Sequence, residues 1–342
     1  MTQLNDIQRP SGIRAIDAEM ARQHADARAT HHACRERAAG IAQALRSTKR
    51  LVMLGMGASH AVARAVEPLY RKMGIAAVSL PLSEQLGQPL SLAGHTVLVT
   101  SQSGESGEVV RWLDEADLSD VQLFGLTLDA GSTLARRAPC LIGCGGAEIA
   151  FAGTRSLTVT LAMHMAVLEA LGSDVSDAAR VLETPPTADV RKLVDAFGNV
   201  DAIVTSGRSL QGVAEAVALG LMELSRLPCF ALEGGQLRHG PLEMLGPNVG
   251  VVLFKADDHT AALVDGMAET AASAGSPVIV FDASATPFNP DGGTILATGA
   301  RSGLAAIFAL LPLAQSFMME YALTRVSDAG TPIRSTKITR SE

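Results

Sequence analysis

Two tandem doubly wound parallel-sheet α/β domains, preceded by an N-terminal helical segment, are the fold class that this sequence predicts. Three observations carry that expectation. Short apolar runs alternate with longer helical stretches along most of the chain, the pattern of a parallel sheet covered on both faces. The alternation breaks at Leu182-Glu183-Thr184-Pro185-Pro186-Thr187, where consecutive prolines stop a helix, and then starts again. Each half also opens in the same way, with a strand, a Gly/Ser loop and a helix, which reads as a weak internal repeat.

Taken in order, residues 13–46 are rich in alanine and arginine with few breakers and read as one or two helices. Residues 50–54 form a short apolar strand that ends in Gly55-Met56-Gly57-Ala58-Ser59, and a helix follows to about Met73. Further strands are expected at 76–79, 96–99, 121–126 and 140–142, with helices at 105–116 and 156–171. After the prolines come strands at 202–205, 249–254 and 277–281 and helices at 211–224, 259–273 and 302–321. The expected division is a helical segment at 1–48, domains at 49–183 and 188–325, and a tail at 326–342.

Composition narrows the function classes. A chain of 342 residues, 47% hydrophobic and 18% charged, with 32 glycines, can bury a large core around tight turns. A formal charge of −7 disfavours a nucleic-acid binder, which needs a basic face, but leaves room for a small anionic ligand held by local donors. The first fifty or so residues are polar, with no signal peptide, and no apolar run reaches about 18 residues, so a soluble cytoplasmic protein without membrane contact is expected. Cys34, Cys140, Cys144 and Cys229 make no disulfide framework, and Cys140/Cys144 lack a second pair for a metal. His31-His32 reads as a solvated helix surface.

The chemistry concentrates in Thr100-Ser101-Gln102-Ser103-Gly104-Glu105-Ser106, directly after the apolar run Val97-Leu98-Val99. Ser101, Ser103 and Ser106 can each donate a hydroxyl, Gly104 lets the backbone fold closely, and the next helix adds first-turn N–H groups and the positive end of its dipole. Together they suit a phosphate without lysine or metal, although the segment alone is also an ordinary serine-rich strand–helix connection. Gly55-x-Gly57 invites a dinucleotide reading, but His60 stands where the third glycine would be. The second strand ends in Ser79-Leu80-Pro81, without the acid that would hold a ribose. A loop presenting Gly57, Ala58 and Ser59 to a smaller phosphorylated ligand fits better.

At this point the chain resembles the sugar isomerase (SIS) domain family in its two-domain form, with flavodoxin-like domains. The likeness is to the isomerase half of glucosamine-6-phosphate synthase and the related aminosugar-phosphate deaminases and fructosamine-phosphate deglycases. Five segments carry it in order: Gly57-Ala58-Ser59-His60; Ser101-Gln102-Ser103-Gly104-Glu105; Glu148-Ile149-Ala150-Phe151-Ala152-Gly153-Thr154-Arg155; the stretch from Glu223 to Arg238-His239-Gly240-Pro241-Leu242; and Pro332-Ile333-Arg334-Ser335-Thr336-Lys337-Ile338-Thr339.

The resemblance implies a phosphosugar isomerase or aminosugar-phosphate deaminase, acting on a phosphorylated keto- or aminosugar through an enediol or enolamine, with no metal or organic cofactor. It implies phosphate or substrate contacts from Gly57, Ala58, Ser59, Ser101, Gln102, Ser103, Ser106 and Ala152. Glu223 would shuttle the proton. It lies on an otherwise apolar helix, where desolvation would raise a carboxyl pKa as such a base needs. His239 would assist ring opening, and Lys337 would stand beside the open-chain carbonyl. A homodimer with His239 supplied across the interface is expected. A deglycase, or a sugar-phosphate-binding regulator without catalysis, are the alternatives.

Several positions depart from the family pattern. Gly220 and Met222 stand where lysines are usual, Phe230 where the synthase has a glutamate, and His60 follows the first-loop serine; these changes are expected to alter the sugar-facing wall. The chain begins Met1-Thr2-Gln3, without an N-terminal cysteine nucleophile, so glutaminase activity is not expected.

Overall fold

Apolar β-branched and leucine runs buried on both sides build two separate five-stranded parallel sheets. The computed structural model describes residues 9–339; Met1-Thr2-Gln3 and the tail residues 340–342 lie outside the described residues. Contacts divide the chain into two units. A first-sheet unit comprises Arg22–Glu148, Arg155–Thr184 and Thr336–Glu342, and a second-sheet unit comprises Met1–Ala21, Ile149–Thr154 and Pro185–Ser335.

The first sheet contains β1 (Arg50–Gly55), β2 (Ala76–Pro81), β3 (His95–Thr100), β4 (Val121–Thr127) and β5 (Cys140–Ile142), in the order β2-β1-β3-β4-β5. Side-chain alternation along β1 and β3 sends Val52, Leu54, Val97 and Val99 to one face, against Val109, Trp112 and Leu113 of α3 (Gly107–Glu115) and Leu134 of α4 (Thr133–Arg137). The other face meets α2 (Ala58–Lys72) and α5 (Arg155–Leu171), which also pack on each other. A single helix, α1 (Ser11–Thr48), precedes the sheet, and α6 (Ser176–Glu183) ends just before the paired prolines. His31 departs from the solvated surface expected of it: its Nε2 lies 2.9 Å from Glu169 on α5, and Arg35 pairs with the same carboxylate at 2.7 Å.

The second sheet repeats that topology. Its strands are β6 (Ala202–Gly207), β7 (Cys229–Ala231), β8 (Val249–Ala256), β9 (Val278–Ala283) and β10 (Thr294–Ala297), in the order β10-β9-β8-β6-β7. Val204, Val251, Leu253 and Val280 pack with Leu237 of α9 (Gly234–Arg238) and with Val264, Met267 and Ala268 of α10 (Ala261–Ser273). Also in this unit, Phe197 of α7 (Arg191–Phe197), Phe281 and the α11 (Gly303–Arg325) residues Phe317 and Tyr321 form a chain of ring contacts, with centroids 5.4–6.1 Å apart. Among the described residues α11 is the one helix long and apolar enough to cross a membrane, yet 83% of its most apolar window is buried in the protein. That apolarity serves the core. It packs on α8 (Gln211–Ser225), where a Cβ on Gly220 would come 2.1 Å from the Met318 methyl carbon.

One buried polar pair sets an acid limit on the first-sheet unit. The Tyr70 hydroxyl of α2 and His164 Nδ1 of α5 are 3.0 Å apart and both residues are fully buried, while His164 Nε2 has no partner. Burial pushes the His164 imidazole down to about 3, against 6.5 for a free histidine. The folded protein therefore refuses a proton that the unfolded chain takes up, so stability falls as pH drops from 6.5 toward 3. At pH 4.5 this group should cost roughly 2–3 kcal/mol. The Tyr70→Phe/His164→Leu double variant should flatten the pH dependence of denaturant unfolding between pH 6.5 and 4.5 by about that amount. An unchanged slope would assign the acid sensitivity to other groups.

Candidate functional site

The strand order of the first sheet reverses between β1 and β3, since the crossover through α2 leads to β2 on one side and that through α3 leads to β4 on the other. Loops at the carboxyl ends of such strands diverge and leave a crevice, the place where open α/β sheets bind ligands. The two loops here are Gly55-Met56-Gly57-Ala58-Ser59 and Ser101-Gln102-Ser103-Gly104-Glu105-Ser106. The structure thus brings Gly57, Ala58, Ser59, Ser101, Gln102, Ser103 and Ser106 to one sheet edge.

Gly57, at φ 51°, precedes α2, and Ser106 precedes α3; neither helix has a side-chain cap on its first N–H groups. Ser132 caps α4 and Glu233 caps α9, while α6, α7, α8, α10 and α11 also start without a side-chain cap. Uncapped helix starts beside hydroxyls favour an anion. Ser101 and Ser106 Oγ lie 3.3 Å apart, and the Gly104 and Glu105 N–H groups donate to Ser101 Oγ and Ser103 Oγ at 3.1 and 3.2 Å, which fixes where those oxygens stand. The Thr339 carbonyl accepts the Gly107 N–H at 2.9 Å, so the tail reaches the start of α3.

The loop is braced from β4 and α4. Leu128 N–H and the Thr127 hydroxyl donate to the Gln102 carbonyl at 2.9 and 3.1 Å. Glu105, the acid inside the serine motif, accepts Thr133 N–H and Oγ1–H at 2.5 and 3.0 Å, so its charge is engaged at α4. Gln102 Nε2 donates to the Glu148 carbonyl at 3.1 Å. His60, the residue after the first-loop serine, has Nδ1 3.2 Å from Ser79 Oγ on β2. Burial, helped by the Arg64 charge, holds its pKa below the ordinary histidine value.

The remaining expected site residues are distributed as follows. Lys337 is in the first-sheet unit, its Nζ 3.4 Å from Glu148 Oε2. Ala152, Glu223 and His239 are in the second-sheet unit. Ala152 is fully buried, Glu223 is half-buried on α8, and His239 is exposed at the end of α9, before Gly240 at φ 108°. Gly220 is buried against Met318, which fills the space a longer side chain would need. Met222 and Phe230 are exposed. Sequence reasoning passed over Glu105 and Glu148 as individual residues. The only available signal was their place inside the serine motif and ahead of Arg155. Among the described residues no group of three His, Cys, Asp or Glu side chains is arranged to hold a metal ion.

Comparison with known proteins gives the class. A SIS domain profile matches residues 44–170. Glutamine–fructose-6-phosphate aminotransferase [isomerizing] 1 of Arabidopsis thaliana is 26% identical over 234 residues, 63% of this chain and 35% of that protein. The Streptococcus pneumoniae R6 aminotransferase is 26% identical over 70% of this chain and 44% of its own length. The chain therefore spans less than half of each of these relatives. Among solved structures, the C-terminal domain of glucosamine-fructose-6-phosphate aminotransferase from Francisella tularensis superposes with TM-score 0.78 at 19% identity, covering 91% of this chain and 96% of that one. Tagatose-6-phosphate ketose/aldose isomerase from Escherichia coli gives 0.78 at 22% identity, with 94% and 97% covered. Glucosamine-6-phosphate deaminase from Thermotoga maritima gives 0.74 at 18%, with 95% and 99% covered. The protein carries a SIS domain within an α/β SIS-type fold. More particularly, it is a homologue of the isomerase half of glucosamine-fructose-6-phosphate aminotransferase.

Gly104 offers a direct test of the loop's geometry. It sits at φ 60°, and an added Cβ would come 2.2 Å from Ser132 Oγ. Gly104→Ala should destabilise the protein by about 2–4 kcal/mol, from backbone strain plus the clash, and should weaken phosphate binding by tenfold or more. Urea unfolding and calorimetry with inorganic phosphate would measure both; unchanged phosphate affinity would exclude this loop as the anion site.

Proposed function

We propose that the crevice between β1 and β3 holds the phosphate of a phosphorylated keto- or aminosugar, and that the protein isomerises or deaminates that sugar through an enediol or enolamine. The observation that carries this reading is the uncharged cradle itself. The hydroxyls of Ser59, Ser101, Ser103 and Ser106 stand beside two helix starts without side-chain caps, and the motif's own acid, Glu105, is bonded to Thr133. Neutral donors at a helix start bind a dianion without the desolvation that a lysine would require. The sugar-phosphate names of the relatives point the same way.

The chemical roles are those expected from the sequence: Glu223 shuttles the proton between C1 and C2, His239 assists ring opening, and Lys337 stands beside the carbonyl. The substrate's own carbonyl takes up the developing charge, so the reaction asks only for positioned acids and bases. The Ser101→Ala/Ser103→Ala variant should lose about 2–4 kcal/mol of binding to a hexose or hexosamine 6-phosphate. Calorimetry against the unphosphorylated sugar tests this, and equal affinity for both sugars would reject the cradle.

Glu223→Gln keeps shape without the proton acceptor, so turnover should fall by about 10²–10⁴ while phosphate binding persists. Solvent exchange at C1 or C2 followed by NMR reads it directly, with ammonia release separating deamination from isomerisation. Undiminished exchange would place the base elsewhere. In the dimeric reading, mixed dimers of Glu223→Gln and His239→Ala subunits should recover activity, since one site then receives both intact residues.

A further inference from the structure

Glu148 is a buried carboxylate that the chemistry above leaves without a role. Its side chain is fully out of solvent, and three donors converge on its two oxygens. Oε1 accepts the Arg155 N–H at 2.8 Å; Oε2 accepts the Ser156 hydroxyl and has the Lys337 ammonium at 3.4 Å. Its backbone carbonyl takes the Gln102 amide N–H at 3.1 Å. One residue is therefore bonded at once to the serine loop, to the start of α5 and to the tail.

The two bonds from the start of α5 would satisfy a carboxylate serving only as a helix cap. Lys337 is a further partner, brought from 189 positions away. The six residues before it, 331–336, are all exposed, whereas Lys337 retains only 24% side-chain exposure. A charge buried beside such a carboxylate is held more firmly than an exposed surface pair, because loss of either partner leaves the other desolvated and uncompensated.

We propose that Glu148 is the positioning residue for Lys337, drawing the tail's ammonium to the serine loop and holding it there as a fixed positive charge for the substrate's carbonyl end. The inference rests on the reading of Lys337 as the group beside that carbonyl. Gln102 completes the link, since the residue that orients Lys337 is hydrogen-bonded to the loop that takes the phosphate.

Two readouts test it in the full-length protein. The first needs no substrate: pulse acetylation with acetic anhydride, with Lys337 read by peptide mass spectrometry against the exposed Lys49 and Lys72. In the wild type Lys337 should react several-fold more slowly than those two, and Glu148→Gln should raise its rate about fivefold by removing the counter-charge. Ser156→Ala, which removes a helix-cap bond but keeps the carboxylate, should leave Lys337 labelling at the wild-type rate. Wild-type labelling as fast as that of Lys49 would overturn the proposal even if Glu148→Gln did not fold.

The second readout is turnover on hexose and hexosamine 6-phosphates. Glu148→Gln should lower kcat by about 10–100-fold with KM within about threefold, and the loss should largely disappear in a Lys337→Ala background. Equal kcat losses from Glu148→Gln and Ser156→Ala, or a loss undiminished without Lys337, would reduce Glu148 to a helix cap. Labelling that responds as expected in a protein with phosphate binding but no phosphosugar turnover would keep the pair and reject the catalytic reading on which its purpose rests.

Discussion

The reversal of strand order between β1 and β3 is the constraint on which the site depends. A parallel sheet buried on both faces needs a crossover after every strand, and where two crossovers leave in opposite directions their loops separate. The crevice is thus a consequence of covering the sheet, and the helices that follow β1 and β3 both start at its rim. The residues then have to meet its geometry. Gly57 and Gly104 take the positive φ values that the tight exits demand, at 51° and 60°, and serines follow in both loops. The bracing follows from the same need: hydroxyls are useful donors only if their loop is fixed, and Glu105, Thr127 and Leu128 bind the loop to β4 and α4.

Much of this was legible in the sequence because it rests on local signals. The strands of both halves announce themselves as apolar runs, the paired prolines mark where the pattern restarts, and the serine motif follows an unmistakable β3. Not every short element announced itself. β7 and β10 have three and four residues, too few for a periodic signal, and α9 exists because Glu233 accepts the N–H groups of Gly235 and Gln236. What could not be read at all were pairings between distant segments. Gly220 looks like a lost functional lysine until Met318 is seen to fill its space. His31 looks solvated until Glu169 is seen beside it. Lys337 looks like a solvated tail charge until Glu148 is found at 3.4 Å. In each case the partner lies far along the chain, and only the fold brings the two side chains together.

The second sheet provides a comparison within one chain. β6 and β8 hold the places of β1 and β3 in an identical strand order, and a serine again follows the first of the two, here Ser209. The loop after β8 is acidic, however, and Asp258 accepts the Ser209 hydroxyl together with the Thr260 N–H and hydroxyl at 2.8 and 2.6 Å. The carboxylate takes the donors that an anion would use. Arg208, the cation nearest in sequence, is itself held by Glu233 at 2.8 Å. A phosphate brought within about 4 Å of Asp258 would meet roughly 4 kcal/mol of repulsion for each unit of its charge at an effective dielectric near 20.

In the first sheet the corresponding loop also contains an acid, but Glu105 is turned to Thr133, and the serine oxygens share bonds with one another and with their own loop. The two halves therefore share a topology and differ in their loop residues and in where the loop carboxylates are bonded. In the second loop the carboxylate occupies the local donors, and in the first it is bonded away from the serines, while the sheets beneath keep the same strand order. Strand order supplies the place, and the loop residues decide what it can hold. A sequence comparison that weighed only the repeat would assign two phosphate sites to this chain. The hydrogen-bond partners of Asp258 and Glu105 tell the two loops apart.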